Sequence, residues 1–264
     1  MKIHPDISVI LVCHHEGPLV VSSLASMRDM VERARSDGLI VEARAVLDRP
    51  DPLTRNTISS CGAWLDGIQE VALGDLGLAR NAGVLSASGE FISFLDGDDL
   101  WGDGWLSLAY TAAVDCGFEK ETIWHPSALY AFVESDFERR SSTDVPHPMA
   151  RSYFHVHKPS VGNGFDKNVL IFENIWSANV FARRSVYEIY PYHGVDRSGG
   201  RGIEDWSFNM MTLWADIPHL VVPETVHIIR IKERGSLNVR NIEESLFPYF
   251  PEKMFPDHPL SNGS

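Results

Sequence analysis

Hydrophobic residues in the first hundred positions alternate between short unbroken runs and helically spaced sets. Ile7 to Cys13 is nearly continuous in apolar residues, the pattern of a strand buried on both faces by helices. Val20, Leu24, Met27 and Val31 then recur at helical spacing to about Arg35, and Gly38 closes that segment before a second strand, Leu39 to Leu47. The economical unit is β–α–β with a right-handed crossover. A polar loop from Asp48 to Pro52 leads to a helix from about Leu53 to Leu65 and a strand from Ile68 to Leu73. Gly74 to Gly83 runs into a helix ending near Gly89, and Phe91 to Leu95 forms the next strand. This alternation predicts an α/β half.

Beyond Trp101 the pattern loosens. A helix is expected over Trp105 to Val114 and a strand over Thr122 to Val133 despite Pro126. Ser135 to Gly164 mixes charge, Ser, Pro, His and Gly without a period, which predicts a long functional or mobile loop. Asn168 to Phe172 and Trp176 to Phe181 read as short strands, and Arg184 to Tyr190 as a short helix. Gly199-Gly200-Arg201-Gly202 is a hinge before Glu204-Asp205-Trp206, after which Trp206, Met210, Leu213 and Trp214 follow helical spacing. Leu220 to Val222 and Thr225 to Ile231 are the last strands expected, and the tail from Phe247 is rich in Pro and aromatics.

Composition narrows the function classes. At 264 residues, 44% hydrophobic and 22% charged, the chain is ordinary for a folded domain. Its net charge of −13 argues against a nucleic-acid partner, whose phosphates need a basic face. Cys13, Cys61 and Cys116 are too few and too scattered for a disulfide framework or a zinc knuckle. The only early apolar run has a strand's length, so neither a signal peptide nor a membrane span is expected and a cytoplasmic location is.

Candidate chemistry concentrates where the Phe91 strand ends. Asp96, Asp98 and Asp99 fall within four positions around Gly97, and three adjacent carboxylates repel unless a cation or solvent compensates them. At the carboxyl end of a buried strand they stand where open α/β sheets bind ligands, and hard oxygen donors suit Mg²⁺ or Mn²⁺ shared with phosphate. An acidic surface turn is the plain alternative. A haloacid-dehalogenase-type Asp-x-Asp is disfavoured because Leu100 follows and a full β–α–β–α–β unit precedes it. An EF-hand fails at Leu100 and Trp101. No Gly-x-Gly-x-x-Gly follows the first strand and no Gly-Lys-Ser/Thr loop is present.

The order of motifs resembles the inverting GT-A glycosyltransferases of family two. Ser8 to Val12 is similar to their first strand, Asp48 ends the second, and Ala79-Arg80-Asn81-Ala82-Gly83 matches an Ala-Arg-Asn-x-Gly helix start. Ala87 to Asp99 looks like their run into the Asp-x-Asp. Gly202-Ile203-Glu204-Asp205-Trp206 is similar to their Glu-Asp motif, and His227, Arg230 and Ser236 to a late His/Arg…Ser segment. The similarity spans most of residues 6 to 240.

The resemblance implies an α/β GT-A fold with a mostly parallel central sheet flanked by helices. It implies one domain, with residues 1–115 binding the nucleotide-sugar, 116–240 forming the acceptor and catalytic half, and 241–264 a tail. It further implies an Asp205 base with Glu204 second, and donor contacts from His14, Glu16, Asp48, Arg80, Asp96 and Arg230. Asp98, Asp99 and His227 would hold Mn²⁺ or Mg²⁺, Arg230 or Lys232 would assist departure of the diphosphate, and Trp176, Trp206 and the His-rich segment His147 to His157 would face the acceptor. His14-His15-Glu16 departs from the family's usual Tyr-Asn pair, which leaves the base open. The expected reaction moves a sugar from a nucleotide-diphospho-sugar to a hydroxyl of a saccharide or lipid-linked saccharide, in polysaccharide or glycoconjugate synthesis. Contact with the inner membrane face is compatible with that chemistry. The same fold also hosts nucleotide-sugar pyrophosphorylases and non-catalytic binding modules. The former would carry a Gly-rich Arg/Lys loop where this chain has Cys13 to Gly17.

Overall fold

The computed structural model describes residues 4–116, 121–133, 135–136, 151–232 and 237–254. Its first half is the predicted alternation: β1 (Ile7–Cys13), α1 (Val20–Ser36), β2 (Val41–Asp48), α2 (Pro52–Cys61), β3 (Gly67–Val71), α3 (Leu76–Ser86) and β4 (Phe91–Asp96). These four strands pair in parallel in the order β3-β2-β1-β4. Every residue of β1 is buried. One face of the sheet packs against α1 through Leu24, Met27 and Val31, and the other against Ala79 and Val84 of α3, which is why β1 shows no hydrophobic alternation.

The second half extends the sheet with mixed pairing. β5 (Leu100–Trp101), α4 (Trp105–Asp115), β6 (Ile123–Val133), β7 (Tyr153–Val156), β8 (Phe181–Arg183), α5 (Arg184–Ile189), α6 (Glu204–Trp214), β9 (His219–Ile231) and α7 (Leu237–Glu243) follow in chain order. β8 pairs antiparallel to β4 and β6, β9 runs parallel to β6, and β5 pairs antiparallel to the end of β9. The sheet is thus parallel across the first four strands and mixed beyond β4.

Several local expectations are corrected here. Leu220 to Val222 and Thr225 to Ile231 are one continuous strand, β9. Asn168 to Phe172 is not a strand: Lys167–Ile171 winds as a 3₁₀ turn capped by Asp166, whose side chain accepts from Asn168 N at 2.9 Å. Only Phe181 of the Trp176 to Phe181 stretch is in a strand. Within Ser135 to Gly164, β7 pairs with β6, so part of that segment is sheet; residues 137–150 lie outside the described ones. Pro126 is accommodated by a register shift between Pro126 and Ala128 against β9, the usual way a strand tolerates a residue with no N–H.

Candidate active site

The carboxyl ends of β1, β2 and β4 open into one cavity of about 1400 Å³. His14, Glu16, Asp48, Asp96, Asp98, Asp99, Arg230, Trp176, Trp206, Glu204 and Asp205 all line it. The chain reaches this geometry through tight local contacts. Gly97 N donates to Val12 O at 2.9 Å, and Asp99 N to Asp96 O at 3.1 Å, folding Asp96 to Asp99 into a turn across the end of β1. A Cβ on Gly97 would come within 2.8 Å of Cys13 Sγ and 3.1 Å of Val12 O, so the turn seats this closely only because the residue is glycine.

Each carboxylate of the turn has its own partner. Asp96 receives both oxygens' bonds from Arg80 Nη2, at 2.7 and 3.0 Å. Asp98 Oδ2 lies 2.7 Å from Lys232 Nζ. Asp99, almost fully buried, accepts from Arg230 N at 3.2 Å and faces His227 Nε2 at 3.2 Å. Burial raises the Asp99 carboxyl above the ordinary aspartate range, against the opposing pull of His227. Strand β9 brings these basic residues here, because Trp101 sits opposite His227 in the β5–β9 pairing.

Arg80 is fully buried. Its other terminal nitrogen donates to Glu204 Oε1 at 2.8 Å, and its guanidinium stands 5.3 Å from the Tyr192 ring centre. The neighbouring Asn81 reaches the same loop: its Nδ2 donates to Tyr192 O at 2.8 Å and its Oδ1 accepts from Tyr192 N at 2.9 Å. The Ala79 to Gly83 helix start therefore fastens the acidic turn to the Glu-Asp helix start. Gly77 allows the approach, since a Cβ there would meet His193 O at 2.6 Å and Glu204 Cβ at 3.0 Å.

Glu204 and Asp205 open α6 behind Ile203, whose φ of 58° is a strained conformation for a β-branched residue. Both carboxyls are raised by burial, with Arg80 pulling the other way. Asp205 Oδ2 accepts from Asn174 Nδ2 at 3.0 Å and Oδ1 from Trp206 N at 2.8 Å. Asn174, absent from the sequence reading, thus orients Asp205. No local motif marks it, because a non-helical residue 31 positions away supplies the contact.

Other expected residues are engaged in structural bonds. Asp48, buried at the end of β2, accepts from the backbone N–H groups of Leu73, Gly74 and Asp75 at 2.8, 2.9 and 2.9 Å. The His14 ring contacts Asp48 O and stacks on His15 with centroids 3.7 Å apart. Glu16 accepts from His14 N at 2.5 Å, and burial raises its carboxyl, reinforced by Asp98 and opposed by Lys232. Asp75, also missed, caps α3 through Leu78 N at 2.9 Å and accepts from Val195 N at 2.7 Å. An Asp directly before a helical run was the available signal.

The two tryptophans expected at the acceptor differ. Trp176 is 1% exposed and stacks on His125 and His219, at 4.9 and 4.4 Å between centroids. Its indole N–H donates to Lys158 O at 2.8 Å, so it is chiefly a core residue at the cavity floor. Trp206 is half-buried and donates to Leu170 O at 2.7 Å. Ser236 and His147 lie outside the described residues.

Residues 8–119 match the model of Glycosyl transferase family 2. Among solved structures, TarS 1–349 of S. aureus in complex with UDP-GlcNAc is similar over 87% of this chain and 60% of its own, at 13% identity and a TM-score of 0.55. The longer S. aureus TarS gives a TM-score of 0.57 at 15% identity, over 86% of this chain and 37% of that one. A mannosyltransferase, PcManGT of Pyrobaculum calidifontis, in complex with GDP-Man and Mn²⁺, gives 0.54 at 16% identity over 90% and 61%. The chain thus spans about 60% of the length of the shorter of these proteins. No curated protein matches its sequence. The fold is that of the GT-A glycosyltransferases.

Proposed function

We propose that this chain, which carries a family-two glycosyltransferase region within a GT-A fold, moves a sugar from a nucleotide-diphospho-sugar to an acceptor hydroxyl with inversion. The observation that carries the reading is that the acidic turn of Asp96 to Asp99 and the Glu204–Asp205 pair line the same cavity and are tied together by Arg80.

In this reading the nucleotide lies over the ends of β1 and β2. Asp48 has spent three acceptor sites on backbone N–H groups, so about one remains for a base N–H. Asp96 presents its carboxylate to ribose while Arg80 holds it in place. His14, Glu16 and Arg230 complete the donor wall.

The chemistry of the donor set beside it, though not its present arrangement, suits a divalent cation. Asp98 and Asp99 supply hard oxygens, and buried His227 faces Asp99 through Nε2 while its Nδ1 has no hydrogen-bond partner among the described residues. As they stand, these side chains do not close into a group of three or more ligands among the described residues. When bound, Mn²⁺ or Mg²⁺ would neutralise charge on the departing diphosphate.

Asp205 acts as base. It removes the acceptor hydroxyl's proton as that oxygen attacks the anomeric carbon from the face opposite the diphosphate. Trp206 forms part of the acceptor wall. Among the described residues no helix is long and apolar enough to cross a membrane, and a saccharide or lipid-linked saccharide acceptor stays within the proposal. The deciding experiment is a thermal-shift screen against UDP-, GDP-, dTDP- and CDP-sugars with Mn²⁺ and with chelator, followed by a transfer assay on whichever donor binds. Failure of every donor to shift the melting temperature in Mn²⁺ would overturn the assignment.

A further inference from the structure

Several buried polar side chains around the cavity are engaged by the protein itself. Asp48 accepts from three backbone N–H groups, Arg80 donates to Asp96 and Glu204, and Asn174 bonds Asp205 and Asn209. Ser177 differs. It is 5% exposed and lines the cavity, yet its Oγ has no hydrogen-bond partner among the described residues. A buried hydroxyl left in that condition is costly, and in a native fold it calls for a reason.

The course of the chain supplies one. Strand β8 runs antiparallel to β4, so the residues leading into Phe181 come past the carboxyl end of β4, toward the Asp96 to Asp99 turn. At the start of the same run Asn174 holds Asp205 at 3.0 Å. Trp176 anchors the backbone between them: its indole N–H donates to Lys158 O at 2.8 Å and its ring stacks on His219. Ser177 thus sits on a fixed segment that leads from the Asp205 carboxylate to the end of β4. A sugar in transit spans that interval, because its anomeric carbon is still bonded to the diphosphate while the hydroxyl deprotonated by Asp205 attacks it.

Resting on the glycosyltransferase reading, we infer that Ser177 is a specificity-determining residue for the donor, whose hydroxyl bonds a ring hydroxyl of the transferred sugar. The free protein carries the unmet bond and the bound sugar completes it. A serine hydroxyl both donates and accepts, so it matches a neutral sugar hydroxyl. A sugar without that hydroxyl leaves Ser177 buried and unpaired, the situation in which polar sites discriminate most strongly. Asn179 provides a control. It is 2% exposed with both ends of its amide unbonded among the described residues, but it lies outside the cavity lining.

The test compares each nucleotide-sugar with its own nucleoside diphosphate by calorimetry in one buffer: UDP-glucose and UDP-GlcNAc against UDP, and GDP-mannose against GDP. For the pair that the wild type binds, Ser177→Ala should keep its affinity for the nucleoside diphosphate and lose about fivefold for the nucleotide-sugar. Asn179→Leu should stay within about twofold of the wild type for both ligands. Urea unfolding of ligand-free Ser177→Ala should show a midpoint equal to or above that of the wild type, since an unmet buried hydroxyl has been removed. A lowered midpoint, or equal weakening of both ligands, would give Ser177 a structural role and overturn the inference. Full retention of nucleotide-sugar affinity also overturns it, and so does the same loss in Asn179→Leu, which would trace the effect to packing of the run. If no nucleoside diphosphate or nucleotide-sugar binds the wild type, the glycosyltransferase reading itself fails and this inference falls with it.

Discussion

Arg80 and Glu204 are 124 positions apart in sequence and meet at 2.8 Å, while the other arm of the same guanidinium holds Asp96. One buried cation therefore fixes the distance between the Asp96 carboxylate and the pair that starts α6. It also distinguishes Glu204 from Asp205: Glu204 is committed to Arg80, whereas Asp205 is oriented by the neutral amide of Asn174.

Removing Arg80 should cost more than an ordinary core substitution. Arg80→Met leaves Asp96 and Glu204 facing each other without their cation, and breaking a buried ionic network from one side costs about 3–5 kcal/mol. Arg80→Lys cannot make the fork and should recover only part of that loss. Urea unfolding of the three proteins measures both. A loss under about 1 kcal/mol for Arg80→Met would mean that water replaces the guanidinium.

Gly77→Ala tests the approach of α3 to α6. The new methyl would press on His193 O and Glu204 Cβ, both closer than a normal contact, and the first of these is backbone. Overpacking of this kind costs about 1–3 kcal/mol. The lowered urea midpoint should come with weaker activity, because Glu204 moves with the helix start.

Acid should destabilise the fold through three buried histidines. Thr212 Oγ1 donates to Phe208 O, so His219 Nε2–H must donate to Thr212 and His125 Nε2–H to His219 Nδ1. His157 donates from Nδ1 to Pro126 O. All three are neutral. Burial lowers His219 to about 3 and His157 to about 4, and places His125 well below its ordinary value. The folded-state values are depressed, so the stabilising contribution is complete above about pH 6.5 and is lost as pH falls toward 4. Each histidine contributes a slope of about 1.4 kcal/mol per pH unit in that window. The raised carboxyls of Asp99 and Glu204 oppose it, since the folded state binds their protons first. Urea unfolding at pH 7 and pH 5 should show the net loss, and His157→Gln should remove about one proton's share of it.

How much of this was legible depends on where each signal lies along the chain. β1 and β4 announce themselves because two-sided burial leaves nearly unbroken apolar runs, β2 alternates Glu42 and Arg44 with buried apolar residues, and the acidic turn and Glu204–Asp205 are local strings. β5 has two residues, too few for a pattern. β7 exposes Tyr153, Phe154 and Val156, so it shows no alternation of buried and exposed positions. Trp176 invited an acceptor role by residue type, yet its place between Phe165 and the two histidines is set by strands far apart in sequence. Asn174 acquires meaning only from chain reversal, which brings it to Asp205, and the pairing of Lys232 with Asp98 has no local signal either.

The assignment of the base yields the sharpest kinetic prediction. Asp205 Oδ1 and Oδ2 each accept one hydrogen bond, from Trp206 N and Asn174, and an Asn in its place keeps shape and one acceptor. Asp205→Asn should therefore fold normally and bind donor nearly as well, while turnover falls by about 10² or more. Burial raises the Asp205 carboxyl above the ordinary aspartate range, and a base works only when ionised. Wild-type kcat/KM should consequently fall as pH drops through that raised value, and the acid limb should vanish from the residual activity of Asp205→Asn. Glu204→Gln keeps a hydrogen-bond acceptor for Arg80 and should retain the acid limb even if its stability suffers. If instead Asp205→Asn transfers sugar at the wild-type rate and Glu204→Gln does not, the base is Glu204, and the bond to Arg80 must open during each turnover.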